Sequence, residues 1–316
     1  MQKILAMLLV VVLLVAALPL SAQEGLSEEE IALLQKVVDG YNAILAYQSY
    51  IRDETVNSTN TTILKIGDQT QQRDTLENTT THIVITRGAT PNGQKTMTQI
   101  IEDTIDGTYT LLGELRYVDG VLYASGQYLS GTGPQPFPLG FSIVTLDVEG
   151  AETGYETFEP QDFVNAVLGV PDEDSLVNYI ASGDLETIAG ILGSITQAEG
   201  DWNGVPATVI TLEFGPEQIP NILAFTADVD PGMEMLFAAV SENSQGTVKF
   251  YFDTDGNPLA QISDITFEIV DFDLGQVDPQ AAGVLASLNS TISETAAFSQ
   301  VNQPLEQVTA PQNLAQ

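Results

Sequence analysis

The chain has 316 residues, no Cys, and only 9 Lys and Arg against 43 Asp and Glu, for a formal net charge of −34. Nothing basic runs far enough to neutralise a phosphate backbone, which excludes a nucleic-acid partner. Adhesion to anionic headgroups is disfavoured for the same reason, so any membrane contact is expected to be transient. The absence of thiols removes disulfides, thiolate metal sites and thiol nucleophiles, and the acidity itself reads as solubility in a salty or acidic medium.

The N-terminus opens with Lys3, runs apolar from Ile4 to Leu18, and reaches small residues after Pro19 in "ALPLSAQEG". A basic start, a short apolar middle and a small-residue site make an export signal, and the run is short of the roughly 20 apolar residues of a full membrane span. Cleavage is expected after Ala22, with retention as an N-terminal anchor as the alternative. Leu20, Ser21 and Ala22 fit a bacterial lipid-anchor box, but Gln23 stands where that box needs Cys, so no thiol can carry a diacylglycerol. The expected location is outside the cytoplasm of a bacterium: periplasmic, extracellular or associated with the cell envelope. The chain divides into a signal peptide (1–22), one α+β domain (23–278), and a weak helix with a disordered tail (279–316).

Ser27 and Glu30 form a capping-box pattern, and Ile31, Leu34, Val38, Tyr41 and Leu45 recur at helical spacing. This predicts an amphipathic helix over about residues 28–48. From Tyr50 to about Val148, Thr and other β-branched residues dominate, as in "TTILKIGDQTQQRDTLENTTTHIVITR", and predict strands. The Asp119-Gly120 pair between apolar runs predicts a hairpin, and the three prolines of "GTGPQPFPLGF" predict a loop. "EPQDFVNAVLG", "DEDSLVNYIASG" and "DLETIAGILG" read as short helices closed by Gly or a Pro turn. Strands return at "DWNGVPATVITLEFG", and "PEQIPNILAFTA" and "DPGMEMLFAAVSEN" read as a second helical pair. In "GTVKFYFDTDGNPLAQISDITFEIVDF" a second Asp-Gly hairpin places Val248, Phe250 and Phe252 on one face. Antiparallel strands with segregated helices indicate the α+β class.

Chemistry finds little footing. His82 is the only His and sits in a strand pattern, and no Gly-x-Ser-x-Gly elbow accompanies it, so a Ser-His-Asp hydrolase is rejected. Zinc lacks ligands. "DTDGNP" departs from a calcium loop, because Pro258 stands where the sixth-position Gly belongs, and a hairpin turn explains it better. No two carboxylates are singled out as an acid/base pair. The expectation is therefore no enzyme activity, no catalytic residue, no metal and no cofactor. What remains is apolar surface, and its plain reading is an ordinary core.

Four stretches, "EEIALLQKVVDGYNAILAYQSYIRDE", "GELRYVDGVLYASGQYL", "EGDWNGVPATVITLEF" and "VKFYFDTDGNPLAQI", together resemble the LolA-like superfamily, and within it the LppX–LprAFG lipoproteins. The resemblance implies a curved antiparallel half-barrel sheet with an N-terminal helix and short helices covering the concave face. It also implies an apolar cavity for the acyl chains of a lipid, glycolipid or lipoprotein. Ile210, Leu212 and Phe214, on one strand face, are then expected to line that cavity. Phe163, Val167, Leu176, Ile188 and Leu192 of the middle helices would face them. A lipid or lipidated protein would be the partner, with an envelope protein as a further one. The alternative is a secreted interaction or structural module with a filled core.

Overall fold

The structure, a computed structural model, describes residues 27–87, 92–119, 121–130, 139–144, 193–218, 239–276 and 279–312. The chain enters through α1, Glu28–Ala46. The Glu30 amide donates to Ser27 Oγ (3.3 Å) and the Ser27 amide donates to Glu30 Oε2 (2.9 Å), which satisfies two otherwise orphaned donors. Glu28, Glu29 and Glu30 suit the positive end of the helix dipole. The buried stripe is Leu33, Leu34, Val37, Val38 and Ile44, while Ile31 is only half-buried. Of the face the spacing predicts, Leu34 and Val38 are thus buried and Ile31 is half-buried. At Gly40 a Cβ would collide with the Phe252 ring. The helix axis lies that close to the sheet.

Eleven described strands form one sheet: β1 Ser49–Ile66, β2 Gln69–Thr86, β3 Asn92–Asp103, β4 Gly107–Val118, β5 Val121–Ser130, β6 Leu139–Val144, β7 Ser194–Trp202, β8 Val205–Phe214, β9 Gln245–Phe252, β10 Pro258–Asp273 and β11 Val284–Ser299. Their order is β6-β5-β4-β3-β2-β1-β11-β10-β9-β8-β7. Neighbours run antiparallel. The fold is the curved α+β half-barrel with an N-terminal helix. It consists of two meanders, β1–β6 and β7–β11, joined along a central seam where β1 pairs with β11 from Ile51↔Ser299 to Ile66↔Val284.

The turns follow local chemistry. Asp119 takes a left-handed φ of 52° in the tight β4–β5 connection, and Asn203 and Gly204 (φ 52° and 86°) make the two-residue β7–β8 turn. The β9–β10 connection is a five-residue loop in which Asp253 Oδ1 accepts from the Asp255 amide (2.9 Å) and the Asn257 amide (2.8 Å). That carboxylate is occupied by the loop's own donors.

Three expectations change. The region after 278, expected as a weak helix, is the sixteen-residue β11 at the centre of the sheet. Its inward positions Ser290, Ile292, Glu294 and Ala296 give no apolar alternation, and its pairing on both flanks overrides the helix propensity of Ala and Glu. The tail expected to be disordered is tied down through residue 309. The Asn302 amide donates to Ser49 O (2.7 Å), Asn92 Nδ2 to Val308 O (2.9 Å) and Arg116 Nη1 to Thr309 O (3.1 Å), and Val308 is buried. Finally, β7 precedes the strand stretch read from "DWNGVP". As an edge strand exposed over most of its length it carries no apolar pattern. The helical middle expected at 159–193 and 216–243 lies almost wholly outside the described residues.

Candidate functional site

Alternation along β8 turns Ile210, Leu212 and Phe214 to one face, the face against which α1 packs. Register sets Ile210 opposite Phe250 and Leu212 opposite Val248 on β9, with Ile195 of β7 on the other side of Leu212. Ile210 is fully buried and Leu212 is 9% exposed. Phe214 is half-buried and reaches over Gly246, where a Cβ would stand 3.0 Å from its ring. The structure thus places these three on one face of β8, in or against the cluster under α1. The wall that meets them among the described residues is α1, through Leu33, Leu34, Val37, Val38 and Ile44. Phe163, Val167, Leu176, Ile188 and Leu192 lie outside the described residues.

Between α1 and the sheet a small apolar cavity of about 20 Å³ is lined by Val37, Gly40, Ile44, Phe250, Phe252 and Phe298. Aromatic rings close its surroundings: Phe250 stacks on Phe252 at 6.5 Å, and Tyr50 meets Phe298 edge-on at 5.9 Å and Tyr47 at 6.2 Å. Burial, reinforced by the charge of Asp253, pushes the Tyr47 phenol up to about 12.

The same inner face changes character across the seam. Down β1 from Tyr50 the inward positions are Arg52, Glu54, Val56 and Ser58, and the register aligns them with Thr79, Thr81 and Glu77 of β2 and with Lys95 and Gln99 of β3. Arg52 Nη2 donates to Glu54 Oε2 at 2.8 Å, with both side chains largely buried. The Gln99 amide donates to Glu77. On β11, Glu294 is 5% exposed and its Oε1 has no hydrogen-bond partner among the described residues. Burial, and then the neighbouring charge of Glu54, push its carboxyl up to about 7, with Arg52 partly offsetting them. Burial also lowers the Lys95 ammonium, against the pull of Glu54. Sequence reasoning missed this polar belt. Its one available signal was the scarcity of cations, of which Arg52, Arg73 and Lys95 fall on inward strand positions.

The outer face carries His82, whose Nδ1 is 2.6 Å from Asp53 Oδ1, in an open groove of about 190 Å³ with Thr55, Thr80, Thr96 and Thr98. Both members of the pair are about half exposed. Among the described residues no three carboxylate or imidazole groups are placed to hold a metal, and no helix is long and apolar enough to cross a membrane.

No protein-family model matches the chain, and no curated protein matches it significantly. Solved structures similar to it include LprF from Mycobacterium bovis, 14% identical, covering 90% of this chain and 98% of that one, with a TM-score of 0.29. The Mycobacterium tuberculosis lipoprotein LppX is 11% identical over 89% of this chain and 100% of that one, also at 0.29. A putative outer membrane lipoprotein-sorting protein domain from Vibrio parahaemolyticus is 11% identical over 88% and 94%, at 0.15.

Proposed function

We propose that this is an exported, non-enzymatic carrier or binder of acyl chains, taking a lipid or a lipidated protein into the apolar space between the inner face of the sheet and the helices. The supporting observation is the continuous apolar inner face of β7–β9, where Ile195, Ile210, Leu212, Val248, Phe250 and Phe252 all point toward α1. A carrier gains about 0.8 kcal/mol for each CH₂ it shields from water, and such a surface supplies that shielding without catalytic groups. The residues expected from the middle helices, Phe163, Val167, Leu176, Ile188 and Leu192, complete the wall in this proposal. The small cavity of about 20 Å³ favours a second reading, an envelope interaction module with a filled core.

Leu212→Trp separates the two. In a carrier the indole fills ligand space, so a fluorescent acyl probe binds more weakly while much of the stability survives. In a filled core the larger ring costs about 1–3 kcal/mol and wild type shows no saturable probe binding. Native mass spectrometry of the purified protein, searched for co-purified lipid, tests the reading without a probe.

A further inference from the structure

The belt on the inner face carries more than structural polarity. Lys95 is flanked across the strands by Ile83 and Leu115, a core residue and a side chain packed against the core. Its ammonium therefore sits at the margin of the apolar cluster. Arg52 occupies the same cross-strand row two strands away, roughly 10 Å at ordinary strand spacing. The guanidinium already meets Glu54, whereas Lys95 has no hydrogen bond among the described residues and interacts with Glu54 and Arg52 only through charge. The second independent sign is Glu294, a carboxyl more than nine-tenths buried with one oxygen unpartnered among the described residues. Arg52 is thus buried and Lys95 half-buried beside a carboxyl whose Oε1 lacks a partner among the described residues.

We propose that this belt is a head-group site, where the Lys95 ammonium takes the carboxylate of a fatty-acid-like amphiphile whose tail lies along the apolar cluster under α1. The proposal rests on the acyl-binding reading and adds the chemistry of the head group. Lys95 is the belt ammonium without a hydrogen bond among the described residues, and one carboxylate matches its single charge, whereas a phosphate monoester carries about −1.5 to −2 at neutral pH. Glu294 sets the charge of the belt. The groups facing it are Arg52 and Glu54 from β1, with Glu77 and Lys95 beyond them, and β10 presents the uncharged Gln261 and Ser263 on that face. Burial raises its carboxyl to about 7, so below that pH it is neutral and the belt has room for an anion. Above it, the belt gains a negative charge and the anion is disfavoured.

The test is displacement of a fluorescent acyl probe from the full-length protein by dodecanoic acid and by 1-dodecanol, between pH 6 and pH 8.5. The acid is expected to compete about tenfold better than the alcohol at pH 6, one charge-assisted contact being worth on the order of 1.5 kcal/mol, and the advantage should shrink toward pH 8.5. Lys95→Met should erase the advantage by bringing the acid down to the level of the alcohol, with Lys95→Gln as a second variant should Met impair folding. Glu294→Gln should keep the advantage at pH 8.5. Equal competition by acid and alcohol in wild type, or an unchanged preference in the folded Lys95 variants, overturns the head-group site and leaves the acyl reading standing. Failure of both compounds and the probe to bind overturns the acyl reading, and the head-group site with it.

Discussion

The two wings of the sheet bury their inner faces by different means. On the C-terminal wing β8 and β9 present Ile210, Leu212, Val248, Phe250 and Phe252, and the burial is apolar. On the N-terminal wing β2 and β3 present Thr75, Glu77, Thr79, Thr81 and Gln99, all buried and all polar. There the compensation is hydrogen bonding: Gln99 donates to Glu77, Thr75 Oγ1 to Asp103 Oδ2 at 3.0 Å, and Arg73 Nε to the same oxygen at 2.7 Å. Burial pushes the Asp103 carboxyl up, but the Ile105 and Asp106 amides together with Arg73 and Thr75 hold it below the usual carboxylate range. On β2, Ile83 and Ile85 join the apolar cluster, and the stretch from Thr75 to Thr81 beyond them is specified by donor and acceptor matching, whereas β8 and β9 are specified by shape. The sheet joins the two at the seam, where Arg52, Glu54 and Glu294 meet the edge of the aromatic cluster.

This contrast can be broken by mutation. The largest effect should come from Phe250→Ala, which empties a buried site on the apolar wing and should cost about 3–5 kcal/mol in urea unfolding. A cost below 1 kcal/mol would mean that the wing is not held by packing. Gln99→Leu on the polar wing removes the donor to a buried Glu77 carboxylate and should cost about 1–3 kcal/mol. An unchanged or raised midpoint would show that hydrogen bonding does not specify that face. The smallest effect belongs to the outer surface. Asp53→Ala removes an exposed partner of His82 and should change stability by less than about 1 kcal/mol, and a larger loss would make that groove part of the fold's support.

The contrast also explains what could be read from the chain. Apolar positions at period two revealed Val248, Phe250 and Phe252, and Ile210, Leu212 and Phe214, as single faces. The Ser27–Glu30 box announced α1, and Asp119 announced a turn. The polar wing gave only Thr-rich strands, because no local signal tells which of two polar faces will be covered. β11 was illegible for the same reason: its inward Ser290, Glu294 and Ala296 become intelligible only beside β1 and β10. The belt around Lys95 depends on register between strands, which a single chain does not disclose.

The seam itself has a consequence for biogenesis. β1 is complete early in the chain, yet the partner of its second edge is the last strand, with Ile51 set against Ser299. A chain delivered across a membrane from its N-terminus would expose that edge of the eighteen-residue β1 until β11 had arrived, and α1 would wait for β8 and β9, which come before β11. Unpaired strand edges invite pairing with other chains, and closing so distant a contact is slow. Under the export proposed above, folding waits for β11 to cross, and a holdase that masks β1 during passage is the kind of assistance this topology calls for.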